Sequence, residues 1–110
     1  MSLRISTAEF RSRVTLETPV DTVDDSGALM RIWTPVADVW AKIAPQRGAE
    51  SFAAGEQESV IAHQVTIRWR PDAAAPMRFR LGGRALYIRA AFDPDARKRF
   101  LVCACEEYGA

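Results

Sequence analysis

The chain has 110 residues, 48% of them hydrophobic and 26% charged, with a net charge of +1. Those values fit one soluble domain with one core and argue against disorder, and no apolar run approaches the roughly 20 residues that cross a bilayer. Charge is unevenly spread, with six basic against nine acidic residues through residue 60 and nine against five from residue 61, so a folded surface can present both signs to neighbours.

The amino-terminal MSLRISTAEFRSR lacks the apolar core and small-residue cleavage site of a secretory signal, which predicts an intracellular product. Within it, Ser6 and Glu9 have capping-box spacing for a single helical turn. Strand signals then dominate. Arg11 to Thr18 alternates Val14 and Leu16 inward against Arg13, Thr15 and Glu17, and ends at Pro19. The following VDTVDDSGALM predicts a hairpin-type loop, its Asp21, Asp24 and Asp25 solvated, since it lacks the alternating oxygen ligands of a calcium loop.

A second strand begins near Met30, is interrupted at Pro35 by an edge or a bulge, and resumes as Ala37 to Ala44, with Val39, Ala41 and Ile43 on one face and Trp40 and Lys42 on the other. It runs straight into PQRGAE and the polar tract from Pro45 to Ala62. Ser51 to Ala62 holds good helix formers but only a ragged apolar face broken by Gly55. The third main strand is His63 to Arg70, with Val65, Ile67 and Trp69 alternating against Gln64, Thr66, Arg68 and Arg70.

Met77 to Leu81 repeats the device, setting Met77, Phe79 and Leu81 against Arg78 and Arg80, and Gly82-Gly83 supplies a two-residue turn. Arg84 to Phe92 and Arg99 to Glu106 form a further hairpin around FDPDARKRF and carry apolar residues on both faces, which marks them as central strands. The expected fold is therefore all-β: a small antiparallel β-barrel of about six strands, one domain over 1–110, with a long loop, leaving room for some helix, between the second and third main strands. Its predicted core is Val14, Leu16, Val39, Trp40, Ile43, Val65, Ile67, Trp69, Phe79, Leu86, Ile88, Leu101 and Cys103.

Chemistry is sparse. His63 is the only histidine, and no nucleophile elbow, zinc-protease helix, phosphate loop or dinucleotide fingerprint is present, so the sequence predicts no enzyme, no metal and no cofactor. Cys103 and Cys105 sit two apart on one strand, a spacing that suits a disulfide poorly; a CxC metal half-site would need further ligands at recognisable spacing, so both read as small buried apolar residues. The arginines at 68, 70, 78, 80, 84 and 89, with Trp69, Phe79 and Tyr87 as stacking platforms, could make an oligonucleotide-binding face. Alternation opposes this, because Trp69 and Phe79 lie across their strands from the neighbouring arginines. A small nucleic-acid-binding module of the OB type is the alternative function.

The order of R-V-T-L-E, Trp33 before a Pro, V-W-A-K-I-A-P with R-G-A-E after it, V-T-I-R-W-R, a Gly-Gly hairpin into L-Y-I-R-A-A-F-D-P, and K-R-F-L-V-C-A-C-E resembles the small head-tail joining proteins of tailed bacteriophages. This SPP1-type head-tail adaptor or head-closure (stopper) family also occurs in prophages and gene transfer agents, and the resemblance runs from about Arg11 to Glu107. It implies a protein made in the bacterial host cytoplasm and assembled at the head-tail junction. There it would form a homo-oligomer ring of six or twelve copies, with a portal or adaptor protein on one side and a tail or tail-terminator protein on the other. The ring would extend and close the DNA channel, enclosing double-stranded DNA without reading its sequence and touching no membrane.

By the same resemblance the tract from Pro45 to Ala62, unusually rich in Ala and Glu here, would reach toward the channel. Its Arg47, Glu50, Phe52, Glu56 and Glu58 are the candidate channel or subunit-interface residues. Glutamates there would repel phosphate, which suits a channel through which DNA must slide. A segment with so little apolar area cannot offset its own ordering entropy, so neighbouring subunits are expected to fix it. Hydrogen exchange should accordingly show weak protection over 45–62 in the monomer and strong protection in a ring; equal strong protection in both states would refute this.

Overall fold

The computed structural model describes residues 7–45, 51–52 and 59–109, with Ser51, Phe52, Ser59 and Gly109 in backbone only. The channel-loop candidates Arg47, Glu50, Glu56 and Glu58, and the side chain of Phe52, lie outside the described residues. Among those described, one 3-10 turn, η1 (Thr7–Glu9), precedes seven strands: β1 (Ser12–Val23), β2 (Leu29–Pro45), β3 (Ser51–Phe52), β4 (Ser59–Arg68), β5 (Arg78–Leu81), β6 (Arg84–Phe92) and β7 (Phe100–Gly109).

All pairings are antiparallel, in the order β2-β1-β5-β6-β7-β4-β3, and β2 pairs again with β4 through Ala41↔Ile67 to Pro45↔His63. That last pairing closes the sheet into a six-stranded barrel, to which β3 adds a short pairing on β4. Closure leaves no open edge within the barrel itself. Register then stacks the inward residues: Leu16 faces Phe79 and Phe79 faces Leu86, while Val65 lies between Ile43 and Cys103, and Ile67 between Ala41 and Leu101. Val14, Leu16, Ala41, Val65, Ile67, Phe79, Leu86, Ile88, Leu101, Cys103 and Cys105 are buried together, and Val39, Ile43 and Trp69 pack against them from the rim. Phe10, just after η1, sets its ring edge-on to Phe100 at 5.8 Å.

Trp40 departs from the expected core. It is 53% exposed, because Val39 and Ala41 on either side face the interior and alternation sends the indole outward.

Several boundaries also moved, three of them by enough to matter. Strand β1 continues through Pro19 to Val23, and β2 starts at Leu29, so the expected loop contracts to a tight turn. There Asp24 Oδ1 accepts the Ser26 and Ala28 N–H groups, each at 2.9 Å, and Gly27 takes φ +87°. Pro19 is tolerated because β5 pairs only with Thr15 to Glu17, so that edge of β1 needs no donor at Pro19. Pro35 sits at a bulge, where Leu16 faces Ala37 and Glu17 faces Pro35, leaving Val36 as the extra residue. Strand β4 begins at Ser59 rather than His63, because β7 supplies ladder partners as far as Gly109; no α-helix occurs among the described residues.

The long hairpin β1–β2 therefore projects as an arm beyond the barrel, and the molecule measures 53 Å along its longest axis. Replacing Phe79, the largest fully buried side chain, with alanine should cost about 3 to 5 kcal/mol, read as a lowered urea midpoint with the m-value unchanged.

Candidate interaction surface

The polar groups that sequence reasoning singled out are mostly committed to one another. On the outer face at the root of the arm, Glu17 is only 4% exposed, yet it accepts from Arg78 Nε at 2.7 Å and lies 3.5 Å from Arg80 Nε. Placing a carboxylate there is tolerable because the cation is fixed beside it. The Arg78 guanidinium also lies over the Trp33 ring at 4.2 Å, and Trp33 meets Tyr87 edge-on at 5.8 Å. The row continues to Tyr108, 5.7 Å from Tyr87, with Arg89 bound to Glu106 and to the Tyr108 hydroxyl. This ladder crosses β2, β1, β5, β6 and β7 and ties the arm to the barrel.

A second cluster involves the inward row of β4, β6 and β7. Arg84 donates twice to Glu107, at 2.8 Å each, and Glu107 Oε1 accepts from His63 Nε2 at 2.9 Å. An ionised carboxylate only accepts, so Nε2 carries the proton, which leaves the buried Nδ1 without a partner among the described residues. The hydrogen bonds from Arg84, then that from His63, hold the Glu107 carboxyl down at about 2, against its ordinary 4.5. His63 is thus a structural residue at this position.

Arg70 pairs with Asp72 at 3.0 Å, so of the six arginines proposed as a phosphate-binding face, 70, 78, 84 and 89 each hold a carboxylate. Arg80 is exposed near Glu17, and Arg68 is exposed with no ion pair among the described residues. Phe79 is buried in the core and Trp69 packs against it, so neither offers an open stacking platform. Cys103 is buried and its thiol pushed up to about 12 by desolvation; desolvation, then the neighbouring Cys103, pushes Cys105 up as well. No group of three or more His, Cys, Asp or Glu that could hold a metal occurs among the described residues.

What remains open to a partner is of two kinds. Around Trp40, two clefts of about 300 and 310 Å³ are lined by Phe10, Asp38, Arg68 and Trp69 among others, and the Arg13 guanidinium lies 5.8 Å from the Trp40 ring centroid. On the arm, Val20, Val23, Leu29, Met30 and Ile32 are all exposed, Leu29 to 78%. Sequence reasoning missed the arm. The apolar residues mirrored about the DDSG turn, Val20 with Ile32 and Val23 with Leu29, were the signal that could have shown it.

The model of the phage head completion protein family matches residues 5–108. In structure the chain is similar to one from the virion of a native gene transfer agent particle, with 28% identity, a TM-score of 0.72, and coverage of 90% of this chain and 94% of that one. It is also similar to a Shigella flexneri 2a protein solved in solution, with 26% identity, a TM-score of 0.68, and coverage of 94% and 96% respectively. Comparison with curated proteins gives no significant sequence match.

Because Glu107 titrates below its ordinary value in the fold, its ionised form contributes stability in full above about pH 4.5, and that contribution is lost as pH falls toward about 2. Urea midpoints measured from pH 7 to pH 2 should show Glu107→Gln less stable than wild type at neutral pH, with the difference shrinking through the acid range. A constant difference would assign the effect to packing alone.

Proposed function

The chain belongs to the phage head completion protein family, and from that membership we propose that it is a structural connector of a phage, prophage or gene transfer agent particle. Copies assemble as a ring, six or twelve to the ring, between a portal or adaptor protein and a tail or tail-terminator protein. The ring lengthens the DNA channel and closes it until a tail is joined. Double-stranded DNA passes through without base-specific contact, and catalysis, metals and cofactors play no part. The chain is made in the host cytoplasm and leaves with the particle.

The observation that carries this reading is the family match across nearly the whole barrel, supported by the likeness to a chain of a gene transfer agent virion over 90% of the length. The carboxylate pairing of Arg70, Arg78, Arg84 and Arg89 supports it from a second direction: a surface whose cations are already neutralised is poorly suited to grip phosphate. On sequence grounds Arg47, Glu50, Phe52, Glu56 and Glu58 are assigned to the channel wall or the subunit interface.

Deleting the gene from its particle-producing host should yield filled heads that leak DNA and tails that stay unattached, both visible by electron microscopy, with added purified protein restoring joined particles. Normal tailed particles in its absence would overturn the connector role. Tight, steeply salt-dependent DNA binding by the isolated chain would instead favour the nucleic-acid module.

A further inference from the structure

We infer that the arm of one copy docks in the Trp40 cleft of the next, so that copies of this chain join head to tail; this rests on the ring reading above and names its interface. The arm has an unfinished inner face. Thr18 and Val20 share the side of β1 on which Val14 and Leu16 enter the core, and their register partners put Thr34, Ile32 and Met30 on the same side, beyond the last residue that β5 covers. Val20, Ile32 and Met30 are 42, 50 and 48% exposed. Apolar residues thus continue along the core side after the core has ended. Among the described residues, each strand of the projecting part pairs only with the other, since β5 reaches only Glu17 and β4 meets β2 only from Ala41. A bare two-stranded ribbon is marginal in water, and an apolar stripe on it marks a contact surface.

The cleft has the complementary character. Trp40 stands out of the sheet beside Arg68, whose guanidinium is exposed and unpaired among the described residues, with the flank of Trp69 as its floor. Exposed tryptophan and arginine are the residue types that anchor interfaces. The arm brings apolar side chains and, at its turn, Asp24 and Asp25, neither in an ion pair among the described residues; the cleft brings aromatic surface and unpaired positive charge. Opposite sign and shared apolar character fit one to the other.

They cannot meet within one molecule. Leu29 and Trp40 lie on the same strand, eleven positions or about 36 Å apart, and a strand does not fold back on itself. Two complementary surfaces held apart on one element satisfy each other only between copies, and such a heterologous contact propagates until it closes into a ring.

The test uses sedimentation of the full chain, an arm variant (Ile32→Asp, with Met30→Asp on the same face as an independent second), a cleft variant (Trp40→Ala with Arg68→Glu), and equimolar mixtures of arm and cleft variants. All four substituted positions are exposed, and unchanged thermal unfolding confirms the fold. Wild type should assemble, each variant alone should associate at least about tenfold more weakly, and the mixture should stop at a one-to-one dimer, since one intact arm and one intact cleft remain. Variants that assemble as wild type does, or a mixture that stays monomeric while wild type assembles, would overturn the interface and leave the connector role standing. A wild-type chain monomeric at millimolar concentration would overturn self-docking, whereas the connector role falls only with normal particles in the deletion host.

Discussion

Five residue pairs between β2 and β4, from Ala41↔Ile67 to Pro45↔His63, turn a meandering sheet into a barrel, and every other feature of the molecule depends on them. Without that closure, β2 and β4 would present open edges and the inward row from Val14 to Cys105 would have no opposite wall. With it, the core is enclosed by register alone, and small residues fit as exactingly as large ones. Ala41 is fully buried where β1, β2 and β4 meet. The same closure uses only one end of a 17-residue strand, which leaves the other end free to leave the barrel with β1.

The arm is not simply surplus strand. Its root is held by the Glu17 carboxylate, the Arg78 guanidinium and the Trp33 ring in contact, with Tyr87 behind them. Arginine suits this place because its flat guanidinium can bond a carboxylate at one edge while its face lies on an indole, which a lysine ammonium cannot do. The bulge makes the arrangement possible on the β2 side: Glu17 faces outward by ordinary alternation, and the extra Val36 shifts the alternation of β2 by one, so that Trp33 joins Glu17 on the outer face although Val39 and Ala41 face inward.

Much of this was legible in the sequence. Period-two alternation identified Val14, Leu16, Val65, Ile67, Phe79, Leu86 and Ile88, all now buried, because in a narrow closed sheet the inward side has only one solution. Trp40 was misplaced because its size suggested burial while its own alternation with Val39 and Ala41 pointed outward, and position outweighs hydrophobicity where the barrel has no room. The arm was not legible, since Pro19, Pro35 and three aspartates carry the signals of a loop, and only pairing between β1 and β2 makes those residues a ribbon. Ion pairs such as Glu17 with Arg78, or Arg84 with Glu107, join residues 61 and 23 positions apart, and no local pattern announces them. Family membership, by contrast, was readable from the order of motifs alone.

The pairing of Pro45 with His63 places the two ends of the intervening tract side by side on neighbouring strands, about 5 Å apart. Parts of that tract, Ser51–Phe52 and Ser59 to Ala62, pair with the sheet, and the stretches between those pairings start and finish at fixed points that the barrel supplies. Closing a loop costs only about 0.6 kcal/mol more for each doubling of its length, so the stretches between those pairings can be lengthened or shortened with little effect on the fold. The barrel is in that sense a socket whose mouth is set by strand register, and those stretches are fittings whose length the register does not dictate.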